Sequence, residues 1–209
     1  MSCQDLQTRI EVRRHSLDDA QEEAANQRAP EARQTTNNHR LEPENQTGRA
    51  RCRIEVRANG QQHTGKRCNG QPVPDGFLEL WQADGAGRYS SGEQRQNTAF
   101  KGFGRSATTA DGTFSFRTVK PGAVEAPGGG KQAPHINVSI FARGILKRMF
   151  TRIYFAGETA NTGDPVLNLV PADRRATLVA LREGDVGGVP KYVFDVHLQG
   201  EKETVFFEA

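Results

Sequence analysis

Residues 132–144, with the sequence QAPHINVSIFARG, form the stretch of this chain most typical of a β-strand. Apolar and polar residues alternate along it, so successive side chains are expected to project to opposite faces of a sheet. His135 and Asn137 therefore share one face, two residues apart. Two histidines at this spacing could bind one metal ion, whereas this strand offers one imidazole and one amide. The pattern predicts a strand whose polar face carries only half of such a metal-binding pair.

Length, charge and cysteine content exclude several classes of protein. A chain of 209 residues suits one domain, or one domain with a tail. The formal net charge of +3 is small and the basic residues are scattered among acids, which does not indicate nucleic-acid binding. The apolar stretches are strand-sized and the first residues have no apolar core, so neither a membrane span nor a secretory signal is expected. Cys3, Cys52 and Cys68 match no zinc spacing and indicate reduced thiols in the cytoplasm.

The composition changes sharply near residue 70. Residues 1–76 contain no Phe, Trp or Tyr, and their large apolar residues are few. Such a segment buries too little apolar surface to offset its ordering entropy, about 1–2 kcal/mol per residue for the backbone alone. We therefore expect residues 1–68 to be an atypical, poorly ordered N-terminal segment. Within it, residues 5–26 could form a helix with a thin apolar stripe, and residues 52–57 alternate weakly and could form an edge strand.

From residue 69 onward, short apolar runs are separated by turns rich in Gly, Pro and Asp. Short strands at such regular spacing predict an all-β fold, an antiparallel β-sandwich with short helical turns. A helical turn is expected over residues 164–169, where Pro165 can occupy the first helical position. The predicted strands are residues 77–83, 113–119, 135–143, 149–155, 176–181, 192–198 and 204–207.

Several short motifs in this second segment carry a resemblance to a known family. They are GQPVPD at 70–75, LWQAD at 80–84 followed by GRY at 87–89, FGR at 103–105, FRTVKPG at 116–122, the His135 strand, Phe155 with PVLN at 165–168, and FDV at 194–196 followed by TVFF at 204–207. Together they make residues 69–209 resemble the intradiol ring-cleavage dioxygenases. The resemblance implies a β-sandwich and an enzyme that uses O2 and non-haem Fe(III) to open the ring of an ortho-diphenol between its two hydroxyl groups.

The resemblance also implies where an iron site would lie. The family binds Fe(III) through two tyrosines and two histidines, and the corresponding positions here are Tyr89, Val124, His135 and Asn137. A catalytic arginine of the family, three residues before the first histidine, is replaced by Gln132. Fe(III) needs anionic oxygen and imidazole ligands, which valine cannot supply and an amide supplies poorly. We therefore expect no metal and no catalytic residue in this chain alone, with Tyr89 and His135 hydrogen-bonded in a vestigial site.

This substitution pattern is the one that the resemblance associates with the alpha, iron-free subunit of hetero-oligomeric members of the family. Such a subunit assembles with an iron-bearing beta subunit of the same fold, so the implied cofactor is Fe(III) in the partner. The implied reaction converts 3,4-dihydroxybenzoate and O2 to 3-carboxy-cis,cis-muconate. Arg143 matches the position of an arginine near the shared pocket, where a guanidinium could bind the ring carboxylate of the substrate. Alternatively, Arg143 is a rim residue that pairs with an acidic residue of the partner.

Other functions stay open at this point. A self-sufficient catechol dioxygenase would need tyrosine at position 124 and histidine at position 137. A non-catalytic structural or binding β-sandwich is a further alternative, because residues 1–68 contain nothing like the N-terminal segment that the family's iron-free subunit places in the interface. An altered reading frame before Asn69 or a natural divergent tail would each explain that difference. Iron analysis of the isolated chain tests the first alternative, and co-expression with a beta subunit tests the second.

Overall fold

The computed structural model describes residues 51–60, 71–90, 100–127, 129–143, 145–200 and 202–208; within the first range, only the Ile54 side chain is described. The described residues form eleven strands: β1 Arg51–Gly60, β2 Gln71–Pro72, β3 Phe77–Gln82, β4 Phe103–Ala107, β5 Thr113–Val119, β6 Val124–Glu125, β7 Lys131–Gln132, β8 His135–Phe141, β9 Met149–Phe155, β10 Val179–Val186 and β11 Val189–His197. They also form 3₁₀ helices at Thr159–Gly163, Leu167–Leu169 and Arg175–Leu178. None of the described helical segments is long and apolar enough to cross a membrane.

Nine of the strands form one continuous sheet that curls into two layers. Its order is β2-β1-β11-β10-β9-β8-β3-β4, and β5 pairs with β1 beside β2. Strand β10 joins the layers, because Val179 and Ala180 pair with β9 whereas the remainder of the strand pairs with β11. A strand that changes sheet is a common way to make a corner in a sandwich. The predicted β-sandwich is confirmed, with two parallel pairs, β1–β11 and β9–β10, among the antiparallel ones.

The hydrophobic core lies between these two layers. Both layers contribute one face of alternating apolar residues, as the period of a strand requires. Each fully buried aliphatic or aromatic side chain contributes about 1.5–3 kcal/mol relative to an exposed one. The buried members are Ile54, Val73, Leu78, Leu80, Phe114, Phe116, Ile136, Val138, Ile140, Ile153, Phe155, Ala180, Tyr192, Phe194 and Val196.

A second apolar cluster covers the outer face of β8 and β9. Phe150 and Tyr154 of β9 pack there against residues from the 3₁₀ helices and the C-terminal segment. Strand β9 is therefore buried on both faces, which explains why its sequence is nearly continuously apolar. The covering residues are Val166, Leu167, Val170, Leu178, Val205 and Phe207.

The structure corrects the expectation of an edge strand over residues 52–57. Residues 51–60 form β1, which pairs with β5 on one side and with β11 on the other, so it is a central strand and not an edge strand. Ile54 is completely buried between the layers. Ile54 therefore belongs to the core, whereas the expectation of poor order over residues 1–68 stays a prediction. The helix predicted over residues 5–26 lies outside the described residues.

Other predicted elements agree with the structure to different degrees. The strands predicted at 77–83, 113–119, 135–143, 149–155 and 192–198 are confirmed to within a few residues, and the helical turn appears as Leu167–Leu169. The strand predicted at 176–181 begins only at Val179, after a 3₁₀ helix. Residues 204–207 contribute a single bridge, Phe207 to Phe150, rather than a strand.

Candidate functional site

The predicted vestigial site lies on the outer face of the β3–β8–β9 layer. Asn137 of β8 is the register partner of both Trp81 on β3 and Arg152 on β9. His135 lies two residues earlier, opposite Tyr154. Residues directly opposite one another in paired strands share one face of the sheet, so these side chains lie side by side.

Tyr89 reaches this face from the loop that follows β3. Asp84 organises the loop, because its Oδ1 accepts hydrogen bonds from the backbone N–H groups of Ala86 (2.8 Å) and Arg88 (3.0 Å). Gly87 has a φ of +79°, and a Cβ there would lie 1.9 Å from the Ala123 carbonyl oxygen. Only glycine permits so close an approach. The ring of Tyr89 then stacks on Trp81, with centroids 6.1 Å apart and planes within 5° of parallel.

The side chains of His135, Tyr89 and Asn137 are linked by two hydrogen bonds. The buried imidazole determines which atom donates in each bond. His135 is fully buried, and burial followed by the charge of Arg152 lowers the pKa of its imidazole to about 3, so the ring is neutral. Its Nδ1 lies 2.7 Å from the Ala133 carbonyl and donates to it, which leaves Nε2 as an acceptor. The Tyr89 hydroxyl, 3.3 Å away, donates to Nε2. Asn137 Nδ2 in turn donates to the Tyr89 oxygen at 3.1 Å.

Arg152 is the only charged side chain among the described residues at the centre of this group. The residue is 4% exposed, and its guanidinium donates to Gln132 Oε1 over 2.6 Å. Its charge lies close to the Tyr154 hydroxyl, which donates a hydrogen bond to Asp164 Oδ1 at 3.0 Å. Burial raises the pKa of the Tyr89 and Tyr154 hydroxyls, so both are phenols and not phenolates. The site therefore consists of neutral donors and acceptors around one buried cation.

Asp164 connects this site to the layer that covers it. The carboxylate is fully buried and accepts from the backbone N–H groups of Ala133 (2.7 Å), Val166 (2.9 Å) and Leu167 (2.7 Å), besides the Tyr154 hydroxyl. Because Ala133 also accepts the His135 bond, Asp164 fixes the backbone that orients the imidazole. Four hydrogen bonds compensate the burial of this charge.

The structure brings together three of the four predicted iron-ligand positions. Tyr89, His135 and Asn137 are joined directly by hydrogen bonds. Val124 lies in β6, opposite Gln132 of β7, and the backbone contact of Gly87 places it beside the Tyr89 loop. Its side chain contains no donor atom for a metal.

Arg143, predicted to bind substrate, does not join this group. It follows the opposite end of β8, whose last residue lies about 20 Å from His135 at 3.3 Å per residue. Its guanidinium pairs with Asp75, with Nη2 2.6 Å and Nε 2.7 Å from Oδ2, and the side chain is 86% exposed. That it binds substrate stays a prediction about a pocket shared with another chain.

Sequence reasoning missed Arg152, Tyr154 and Asp164. A signal for Arg152 was present, since it is a charged residue inside the apolar strand MFTRIYF, where burial is expected on both faces. The contribution of Asp164 could not be inferred, because the carboxylate meets residues from three separate segments.

The side chains at these positions do not fit the four-ligand Fe(III) site that the resemblance implies. Tyr89 and His135 are hydrogen-bonded to each other, and burial raises the pKa of the Tyr89 hydroxyl. The guanidinium of Arg152 also lies close enough to lower the pKa of His135, after the larger effect of burial. Nothing in the chain's described ranges brings three or more His, Cys, Asp or Glu residues close enough together to hold a metal ion. A trication placed here would meet two donor atoms and a like charge, which disfavours binding.

Comparison with known proteins identifies relatives over most of the described region. A family model described as "Dioxygenase" matches residues 61–200. The alpha chain of protocatechuate 3,4-dioxygenase from Burkholderia cepacia is 50% identical over 144 residues, which cover 67% of this chain and 71% of that protein. The alpha chain from Pseudomonas putida is 51% identical over 143 residues, covering 67% and 70%. The beta chain from Burkholderia cepacia is 33% identical over 146 residues, covering 65% and 61%.

A solved structure shares the fold. The dioxygenase domain of a dioxygenase and carbohydrate-binding fusion protein from Streptomyces sp. SirexAA-E superposes with a TM-score of 0.56 at 27% identity. The match covers 77% of this chain and 87% of that domain. The similarity thus extends to the arrangement of strands that positions the site described above.

Proposed function

This chain belongs to the intradiol ring-cleavage dioxygenases, and we propose that it is a subunit that binds no iron and acts with an iron-bearing partner of the same fold. The main support for the proposal is which residues occupy the four predicted iron-ligand positions and how they are hydrogen-bonded. Tyr89 and His135 are hydrogen-bonded to each other, and Val124 and Asn137 occupy the other two positions. The greater identity to alpha chains, 50% against 33% for a beta chain, supports the same assignment.

The reaction we propose for the complex is the intradiol cleavage of 3,4-dihydroxybenzoate. Both atoms of one O2 molecule enter between the hydroxylated carbons, the carbon–carbon bond breaks, and 3-carboxy-cis,cis-muconate results without a further co-substrate. Fe(III) bound by the partner would activate the diphenol ring toward O2. The names of the relatives, which are protocatechuate 3,4-dioxygenase chains, support this choice of substrate.

The contribution of this chain to substrate binding would come from Arg143. Its guanidinium is exposed and permanently charged, and Asp75 holds it in a defined orientation. An exposed ion pair of this kind stabilises a protein by only about 0–1 kcal/mol, so a substrate carboxylate could share or replace Asp75 at little cost. In the alternative, the same guanidinium pairs with an acidic residue of the partner at the rim of the interface.

Co-expression with an iron-bearing beta subunit tests the proposal. We expect the complex to contain iron and to consume O2 with 3,4-dihydroxybenzoate, whereas the isolated chain is colourless and binds no stoichiometric iron. The double variant Val124→Tyr/Asn137→His restores the missing donors and should gain iron and a visible absorption band from tyrosinate-to-iron charge transfer.

Two results would contradict the proposal. Stoichiometric iron with a visible band in the isolated wild-type chain would show that Tyr89 and His135 suffice for a metal site. Failure to form an active complex with any beta subunit, despite a correctly folded chain, would favour a non-catalytic β-sandwich.

A further inference from the structure

Arg152 is linked to both of the predicted iron-ligand positions that carry no suitable ligand. It is the register partner of Asn137 on β8, so the two side chains share one face of the sheet. Its Nη1 donates to Gln132 Oε1 at 2.6 Å, and Gln132 is the register partner of Val124. The residue is 4% exposed. A buried cation is therefore connected to both replaced positions.

The charge of Arg152 also acts on the two positions that keep a ligand residue. Burial is the larger influence on each group, since it raises the pKa of the Tyr89 hydroxyl and lowers the pKa of the His135 imidazole. Arg152 is the next influence and lowers both pKa values, as a nearby positive charge does. A charge that acts on both groups is close enough to act on a metal ion that they would bind.

Arg152 forms no ion pair within the described ranges. Its partner Gln132 is neutral, and the buried carboxylate of Asp164 accepts instead from Tyr154 and three backbone N–H groups. The Nε–H group of Arg152 and the Oδ1 atom of Asn137 are buried without a hydrogen-bond partner among the described residues. Arginine stays protonated even when it is buried. The site therefore holds a permanent positive charge that no acid neutralises by direct contact.

We propose that Arg152 excludes metal ions from this site by a repulsion that acts independently of the ligands lost at positions 124 and 137. Tyr89 and His135 still offer one oxygen and one nitrogen, a pair of donors that many metal ions accept. The guanidinium supplies the buried positive charge that a metal would bring, so a second cation meets Coulomb repulsion where little water screens it. Repulsion of the wrong ligand is a general route to specificity. The inference rests on the proposed assignment of the four ligand positions, and it gives this subunit a means of leaving metal to its partner.

Metal binding by variants of the 209-residue chain tests the exclusion. The reference is Val124→Tyr/Asn137→His, the restored-ligand variant, and Arg152→Gln is then added to it. Affinities for Zn²⁺ and Ga³⁺, which undergo no redox chemistry here, are measured by competition with nitrilotriacetate, and Fe(III) is followed by its visible band. We expect Arg152→Gln to raise the affinity for Zn²⁺ by roughly tenfold or more and that for Ga³⁺ by a larger factor, because Coulomb repulsion is proportional to the charge of the metal. The affinity for Fe(III) should rise in the same way.

Further variants separate the charge of Arg152 from its hydrogen bonds. Arg152→Lys keeps a positive charge but not the planar fork of N–H groups. At pH 6, where lysine is protonated, the restored-ligand variant with this change should bind metal nearly as weakly as it does with arginine. Arg182→Gln removes an exposed arginine paired with Asp185 and should leave metal affinity unchanged. Circular dichroism establishes which variants fold; if Arg152→Gln does not, Arg152→Met, which keeps an apolar stem without the charge, takes its place.

The proposal is overturned by any of three results. These are equal metal affinity with arginine and glutamine at position 152, an equal gain for Zn²⁺ and Ga³⁺, and a folded Arg152→Lys variant that binds metal as tightly as Arg152→Gln. Each of these results leaves the proposed function standing, because the restored ligands still bind metal. Absence of metal from every variant would overturn this inference together with the assignment of the four ligand positions.

Discussion

Replacement of Asp164 by asparagine should destabilise the domain although the side chains are almost the same size. In the wild type, Oδ1 accepts from Tyr154, Val166 and Leu167, and Oδ2 accepts from the Ala133 N–H at 2.7 Å. The amide can keep the three bonds at Oδ1. Its NH2 group must then face the Ala133 N–H, which places a donor against a donor in a fully buried site.

The expected magnitude follows from these bonds. A hydrogen bond to a charged group contributes about 1.5–3 kcal/mol, and an orphaned buried donor costs about 1–3 kcal/mol. These two estimates overlap, since both describe the loss of the hydrogen bond from Ala133. In addition, the three hydrogen bonds at Oδ1 no longer involve a charged acceptor and become weaker. We therefore expect Asp164→Asn to lower the free energy of unfolding by about 2–4 kcal/mol. Asp164→Ala, which orphans four donors, should cost more.

Urea denaturation of the 209-residue chain, followed by circular dichroism, measures this loss. With a slope of about 2 kcal/mol per molar urea, the midpoint should fall by roughly 1–2 M while the slope stays unchanged. The matched control is Asp185→Asn, which neutralises an exposed carboxylate paired with Arg182 and should change stability by less than about 1 kcal/mol. Equal, small effects of the two substitutions would refute the assignment of Asp164 as the buried link between the sheet and its covering layer.

Further predictions concern the interface, the imidazole and the first strand. In an active complex, Arg143→Ala should raise KM for 3,4-dihydroxybenzoate by roughly tenfold or more and leave KM for catechol nearly unchanged, because only the former has a carboxylate. Equal effects on the two substrates would indicate that Arg143 is a structural residue at the rim of the interface. The depressed pKa of His135, about 3, means that the unfolded chain binds more protons below about pH 6.5. The contribution of His135 to stability should thus fall as pH decreases from about 6.5 toward 3, by up to about 1.4 kcal/mol per pH unit. Urea titrations at several pH values should show this slope in the difference in free energy of unfolding between wild type and His135→Gln. A difference that does not change with pH would contradict the prediction. Ile54→Ala should cost about 2–5 kcal/mol in the same assay, whereas a negligible loss would exclude a central position for β1.

The sequence alone determined the strands whose local pattern is strong. Strands β3, β5, β8 and β9 alternate clearly or are continuously apolar between turn residues, so their type and approximate limits were evident. The predicted replacement of two iron-ligand positions by Val124 and Asn137 also came from the sequence, because it depends only on residue identity. Where the alternation was weak, the prediction was poorer. Strand β1 was expected at an edge of the sheet, and β4 was not predicted as a strand.

Only the tertiary structure decided which residues meet and with which partners. The central position of β1 depends on pairing with β5 and β11, far away in the sequence. The Tyr89–His135 contact depends on a loop held by the close approach of Gly87 to Ala123. Alternation along one strand determines which face a residue occupies, but the neighbours on that face come from other strands and loops. For that reason the sequence could predict the loss of an iron site, whereas the buried Arg152 and the unsatisfied oxygen of Asn137 became visible only when β8 lay beside β9.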